Sequence, residues 1–236
     1  MNVDRKVGFT IAVIVAAVFP IVFLIIFYNL KQPNINVNTV LPIYGNKTPF
    51  ESEDLKGIKF TDTLYQTIPK FSLINQVGDT ITDDRLKDVV TVVDFFFTTC
   101  PTICIDMAKN KNEIQEYFLK DNSKVQILSI SVDPQTDTPE KLLQYAYDNN
   151  VNSNSWNLLT GDKKVIYELA RKGFMVTATE GDGGENDFIH DNKFVLIDRE
   201  KRIRGYYDGT SPEDTQRLIT DIQKLSVSYI IPHKEK

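Results

Sequence analysis

The sequence predicts an α/β domain, a central mixed sheet flanked by helices, behind one apolar N-terminal segment. Three observations carry that expectation. From about residue 67 onward, β-branched and aromatic runs alternate with stretches of helical spacing, which is how a sheet with helices packed on it reads in sequence. Ahead of them, Gly8 to Leu30, "GFTIAVIVAAVFPIVFLIIFYNL", contains no charged residue. The chain of 236 residues has only two cysteines, and both stand at one strand-to-helix junction, as Cys100 and Cys104.

The apolar segment is long enough to cross a bilayer core of about 30 Å as a helix. Pro20 within it is tolerable in lipid. A cleavable signal peptide has a shorter apolar region and small residues after it, whereas Tyr28, Asn29, Leu30 and Lys31 follow here. The expectation is one uncleaved transmembrane helix over 8–30. Arg5 and Lys6 precede it, and positive charge tends to stay in the cytoplasm. Residues 1–7 are then cytoplasmic, and the rest of the chain faces the periplasm from the inner membrane. The formal net charge of −5 argues against a nucleic-acid partner, which calls for a basic surface. The Asn- and Pro-rich stretch 31–66 reads as an extracytoplasmic tether with sparse order. The folded domain is expected over 67–230, with 231–236 as a tail.

Within that domain the elements follow in order. "KFSLINQ" and "VVTVVDFFF" read as strands and "CIDMAKNKNEIQEYFLK" as a helix. Ile103, Met107, Ile114 and Phe118 lie near helical spacing. "VQILSISVD" is a strand. In "TPEKLLQYAYDNN", Thr138 caps a helix and Pro139 fits its first position. "WNLLTG" is a short strand and "KKVIYELARKG" a helix stopped by Gly173. "KFVLID" and "RIRGYYDG" pair about the turn from Asp198 to Lys201. "SPEDTQRLITDIQKL" is a capped helix with Leu218, Ile222 and Leu225 on one stripe.

A cysteine pair after an early buried strand, at the start of a helix, matches a thioredoxin-like layout. Unpaired N–H groups and the dipole at a helix N-terminus favour a thiolate. Residues four apart share a helix face, so both sulfurs can meet one point. They can close a disulfide, or offer two soft thiolates to copper(I) or zinc. A stabilising disulfide alone is a poor reason for the pair, because so short a loop removes little chain entropy. Of the two histidines, His233 lies in the tail. His190, in "FIHDNKFVLID", stands just before a predicted core strand, in a loop that faces the cysteines in thioredoxin-like folds. Cys100, Cys104 and His190 are the predicted metal ligands. Three such ligands suit trigonal copper(I) and accept copper(II) with an added ligand.

"FFFTTCPTIC", "SVDPQTDTPEKL", "FIHDNKFVLID" and "RIRGYYDGT", with "IPKFSLINQVGDTIT" at the domain start, together resemble the Sco/SenC family of membrane-anchored copper proteins. The resemblance spans roughly residues 66 to 227. It implies a thioredoxin-like fold that binds copper(I) or copper(II). It implies a role in assembling the binuclear copper A centre of cytochrome c oxidase subunit 2, by delivering copper, by reducing that subunit's cysteines, or both. The family's cysteines fall on Cys100 and Cys104, its histidine on His190, and its DxxxD aspartates on Asp133 and Asp137. That aspartate region serves copper transfer or partner contact in some members. Two positions depart from the family pattern: Ile105 replaces a proline, and Phe96, Phe97, Thr98 and Thr99 replace an aromatic-Tyr-Thr-His run.

Other readings stand beside this one. The pair can serve a thiol–disulfide reductase of extracytoplasmic proteins with no obligatory copper role, and then Cys100 and Cys104 are the catalytic redox pair. A peroxiredoxin-like peroxidase would need Arg171 or Arg204 to reach the thiols through the fold. Asp133 and Asp137 also fit ordinary turn and capping chemistry. Met107 fits core packing better than ligation, and Glu185 and Asp187 lie in an acidic loop able to approach the metal. A copper site of two thiolates requires the reduced pair, so an upstream copper donor or reductant is implied.

Overall fold

A computed structural model of the chain describes residues 16, 18–23, 40–101, 103–119, 124–176 and 192–228. The chain divides into two units, residues 1–36 and 37–236. In the first, residues 16 and 18–23 are helical. Among the described residues no helix is long and apolar enough to cross a membrane. The predicted span 8–30 lies mostly outside them.

The second unit begins its order earlier than expected. Strands β1 (Lys47–Glu53) and β2 (Lys59–Tyr65) form an antiparallel pair inside the stretch read as a sparse tether. The cause is local: Asp54 Oδ1 accepts from the N–H groups of Lys56 and Ile58, and Gly57 turns at φ +80°. Before the hairpin, Tyr44 N–H donates to the Ile203 carbonyl at 2.9 Å, and Arg204 holds the carbonyls of Leu41 and Pro42.

The main sheet collects β3 (Ser72–Asn75), β4 (Thr80–Thr82), β5 (Val90–Phe96), β6 (Val125–Ser131), β7 (Trp156–Thr160), β8 (Lys193–Ile197) and β9 (Ile203–Asp208). Their spatial order is β4-β3-β7-β6-β5-β8-β9. β5, β6 and β7 run parallel, while β3, β8 and β9 pair antiparallel to their neighbours. The helices are α1 (Ile103–Leu119), α2 (Pro139–Asp148), α3 (Lys163–Glu168) and α4 (Pro212–Ser228). Thr138 caps α2 by accepting from Lys141 N–H, as the sequence predicts. The stretch "KKVIYELARKG", expected as one helix, changes to a π turn over Leu169–Gly173.

Every residue of β5 is buried, because both faces of the sheet are covered. Strand alternation divides the core in two. Val90, Val92 and Phe96 join a cluster with Met107, Ile114 and Phe118 of α1, Leu142 of α2 and Leu218 and Ile222 of α4. Val93 and Phe95 point the other way, to Leu73, Leu128, Ile130, Ile166 and Phe174. The tyrosines of β9 tie the sheet to its neighbours: Tyr207 donates to Asp221 and Tyr206 to the Phe174 carbonyl.

Candidate metal centre

The parallel strands β5 and β6 end on the same side of the sheet, where open α/β sheets place their ligands. β5 runs into the loop carrying Cys100, and β6 into the loop carrying Asp133 and Asp137. The two loops are stitched at their roots, since Val132 N–H donates to the Phe96 carbonyl at 2.8 Å. Cys100 N–H reaches the Phe97 carbonyl at 3.3 Å, and Cys104 follows within the first turn of α1.

Neither cysteine is joined in a disulfide. Both are buried, at 8% and 6% exposure, in the cluster that also holds Phe96 and Met107. Their side chains hydrogen-bond to each other. The helix start was expected to favour a thiolate. Instead the Cys104 thiol is pushed up to about 12. Loss of hydration on burial is the largest cause and the bond to Cys100 adds to it. The Phe97 backbone and the Lys111 ammonium pull the other way without prevailing. Desolvation outweighs the helix end here because the sulfur has little water.

Asp137 does not cap α2; Thr138 does. Its carboxylate is fully buried and serves as a strut under the cysteine loop. It accepts from Thr98 N–H at 3.1 Å, from Thr98 Oγ1 at 2.5 Å and from Ser131 Oγ at 2.5 Å. The carboxylate itself is therefore held off the protein surface. Asp133 works through its backbone, its carbonyl accepting from the N–H groups of Thr136 and Asp137. That is the turn chemistry its sequence suggests. Ile105 is 64% exposed beside the thiols. Met107 is core, at 1% exposure.

Sequence reasoning passed over Tyr145. Its ring packs 5.2 Å from that of Phe96. Burial, then the charges of Asp94, Cys104, Cys100 and Asp137, push its phenol up. It therefore stands in the field of both thiols. Its place at i+7 from the α2 cap was the only available signal. The arginines that a peroxidase would require are engaged elsewhere. Arg204 is bound to Asp198 and two carbonyls, and Arg171 lies over the Tyr167 ring.

His190, Glu185, Asp187 and His233 lie outside the described residues. Among the described residues no group of three His, Cys, Asp or Glu side chains converges on one point. Two soft sulfurs within hydrogen-bonding reach fit a soft ion, copper(I) first.

The SCO1/SenC family model matches residues 61–226. The SCO1 protein homolog of Bacillus subtilis (strain 168) is 30% identical over 171 residues, covering 72% of this chain and 88% of that protein. The structure of BsSco, a member of the Sco family of cytochrome c oxidase assembly proteins in which a disulfide switch is identified, superposes with a TM-score of 0.60 at 30% identity. That match covers 68% of this chain and 94% of the other. Bradyrhizobium japonicum ScoI with copper bound gives a TM-score of 0.55 at 25% identity, covering 68% and 99%. A mixed sheet flanked by helices, in the thioredoxin-like arrangement, is common to these relatives and this chain.

Proposed function

The chain belongs to the SCO1/SenC family, and on that premise we propose that it binds copper and hands it on during assembly of cytochrome c oxidase. The observation that carries the reading is the pair of unbridged, buried thiols within hydrogen-bonding reach of each other at the head of α1. The copper-bound relative and the oxidase-assembly relative support the metal and the setting. Cys100 and Cys104 would hold the ion, with His190 as third ligand. β8 lies antiparallel to β5 and so enters the sheet where β5 leaves it. His190 is three residues ahead of Lys193, within about 10 Å of chain.

In the finer reading the acceptor is the binuclear copper A site of subunit 2, and the protein delivers copper to it, reduces its cysteines, or both. The strut at Asp137 keeps the cysteine loop in one conformation for either task. We read residues 8–30 as the membrane anchor, 1–7 as cytoplasmic and the domain over 67–230 as periplasmic, because the apolar run has the length of a span and Arg5 and Lys6 precede it. The second reading, a thiol–disulfide reductase with no obligatory copper role, is favoured by the closeness of the two sulfurs and by the disulfide switch of BsSco.

The test uses the full chain in detergent, reduced and kept from oxygen, titrated with copper(I) against a chelator. One tightly held copper per chain is expected, lost in Cys100→Ser and in Cys104→Ser. His190→Ala is expected to lose tight binding yet keep disulfide exchange. Unchanged affinity in that variant removes the third ligand from the site. No retention by the unaltered chain, with ready exchange, moves the function to the reductase.

A further inference from the structure

The buried stripe of α1 runs Cys104, Met107, Ala108, Lys111, Ile114, Gln115, Phe118. Lysine in such a stripe is anomalous, since long cations are seldom fully buried unless paired. Here it is paired. Lys111 Nζ lies 2.6 Å from Asp94 Oδ2, with side-chain exposures of 1% and 0%. Its other donor contact is Ser129 Oγ at 2.9 Å. Ser129 in turn donates to Asp94 at 2.5 Å and accepts from Trp156 Nε1 at 2.9 Å. The ammonium also sits 5.2 Å from the Phe96 ring centroid and 4.9 Å from that of Trp156.

An ion pair in such surroundings adds little net stability over apolar residues of the same shape. Its position suggests another use. Lys111 is seven residues from Cys104 on one helix face, about 10 Å along the axis. Helical side chains lean toward the N-terminus, which carries the ammonium toward the sulfurs. Phe96, Trp156, Cys100 and Cys104 belong to one contiguous cluster, so little water intervenes. Two thiolates around a monovalent cation leave a net negative charge, in a core that penalises it.

We propose that the Lys111 ammonium, locked in place by Asp94 and Ser129, is the counter-charge for that anionic site and sets how tightly it holds a monovalent soft metal ion. Lys111 is thus a positioning and electrostatic residue that touches no ligand. The proposal rests on the copper reading above and deepens it.

The two members of the pair carry opposite charge, so their removal moves affinity in opposite directions. Copper(I) affinity of the reduced full chain in detergent is measured by chelator competition for the unaltered protein, Lys111→Met and Asp94→Asn. At about 10 Å and an effective dielectric of about 20, one charge is worth roughly tenfold. Lys111→Met is expected to bind about tenfold more weakly, and Asp94→Asn more tightly by a factor of the same order. Folding of each variant is followed by the fluorescence of Trp156, the single tryptophan. A structural role alone lowers stability in both variants and shifts affinity in one direction or in neither. Either result overturns the proposal while leaving copper binding standing. If Lys111→Met does not fold, Asp94→Asn decides: tighter binding supports the proposal, and unchanged or weaker binding overturns it. Failure of the unaltered chain to bind removes both readings.

Discussion

On one side of β5, Val93 and Phe95 meet Leu128, Ile130, Ile166 and Phe174, a core of hydrocarbon and aromatic contacts. On the other side, Val92 and Phe96 flank Asp94, and the same core takes in Lys111, Ser129, Trp156 and both cysteines. The two faces share strands and differ in load. The first is arranged mainly for packing, with a buried polar pair in Gln126 donating to Thr91. The second gives up apolar contacts to hold an ion pair and two thiols. Such a division lets one face set stability while the other is adjusted for metal and redox chemistry, because side chains on opposite faces of a strand scarcely touch.

The largest expected effect would break this comparison if it spread across the sheet. Phe95 is 4% exposed and meets the Phe174 ring edge-on at 5.6 Å. Phe95→Ala should cost about 3–5 kcal/mol in denaturant unfolding, while copper(I) affinity per folded chain stays unchanged. A parallel loss of affinity would show that the packing face also shapes the site.

Next in size is the strut. Asp137→Ala orphans the donors of Thr98 and Ser131, which is expected to cost about 2–3 kcal/mol and to weaken copper binding by loosening the Cys100 loop. Asp133→Ala keeps the backbone turn and serves as the contrast, with an expected change within about 0.5 kcal/mol. Equal effects in the two variants would erase the distinction between strut and turn.

The last prediction sharpens the chemistry of the loaded face. With the Cys104 thiol pushed up to about 12, it is protonated through the physiological range. Loading a metal must expel that proton, so apparent affinity should rise with pH. About tenfold per unit is expected for each proton expelled, read by chelator competition from about pH 6 to 9. A flat profile would mean that the site already holds a thiolate.

Much of this was legible in sequence. Apart from the unpredicted β4, the order of strands and helices from Ser72 onward, the Thr138 cap and the junction carrying Cys100 and Cys104 follow from short-range patterning, and the structure repeats them. The β1–β2 hairpin was passed over because its strands are exposed and carry no apolar run, although "EDLKG" was a turn signal. The π turn at Leu169–Gly173 has no periodicity of its own. His190 lies outside the described residues, and its role rests on its place ahead of β8.

What the sequence by itself determined is what neighbouring residues decide: helix caps, strand alternation, and two sulfurs four residues apart at a helix head. What only the tertiary structure decided is burial and its partners. Asp94 and Lys111 are 17 residues apart, and Thr98 and Asp137 are 39 apart. Helical spacing puts Lys111 on the stripe of Met107, Ile114 and Phe118, but nothing local names its partner Asp94, or tells Asp137 from a cap. The state of Cys104 likewise turned on desolvation, which a helix start cannot announce, because the water around a sulfur is removed by residues brought there from elsewhere in the chain.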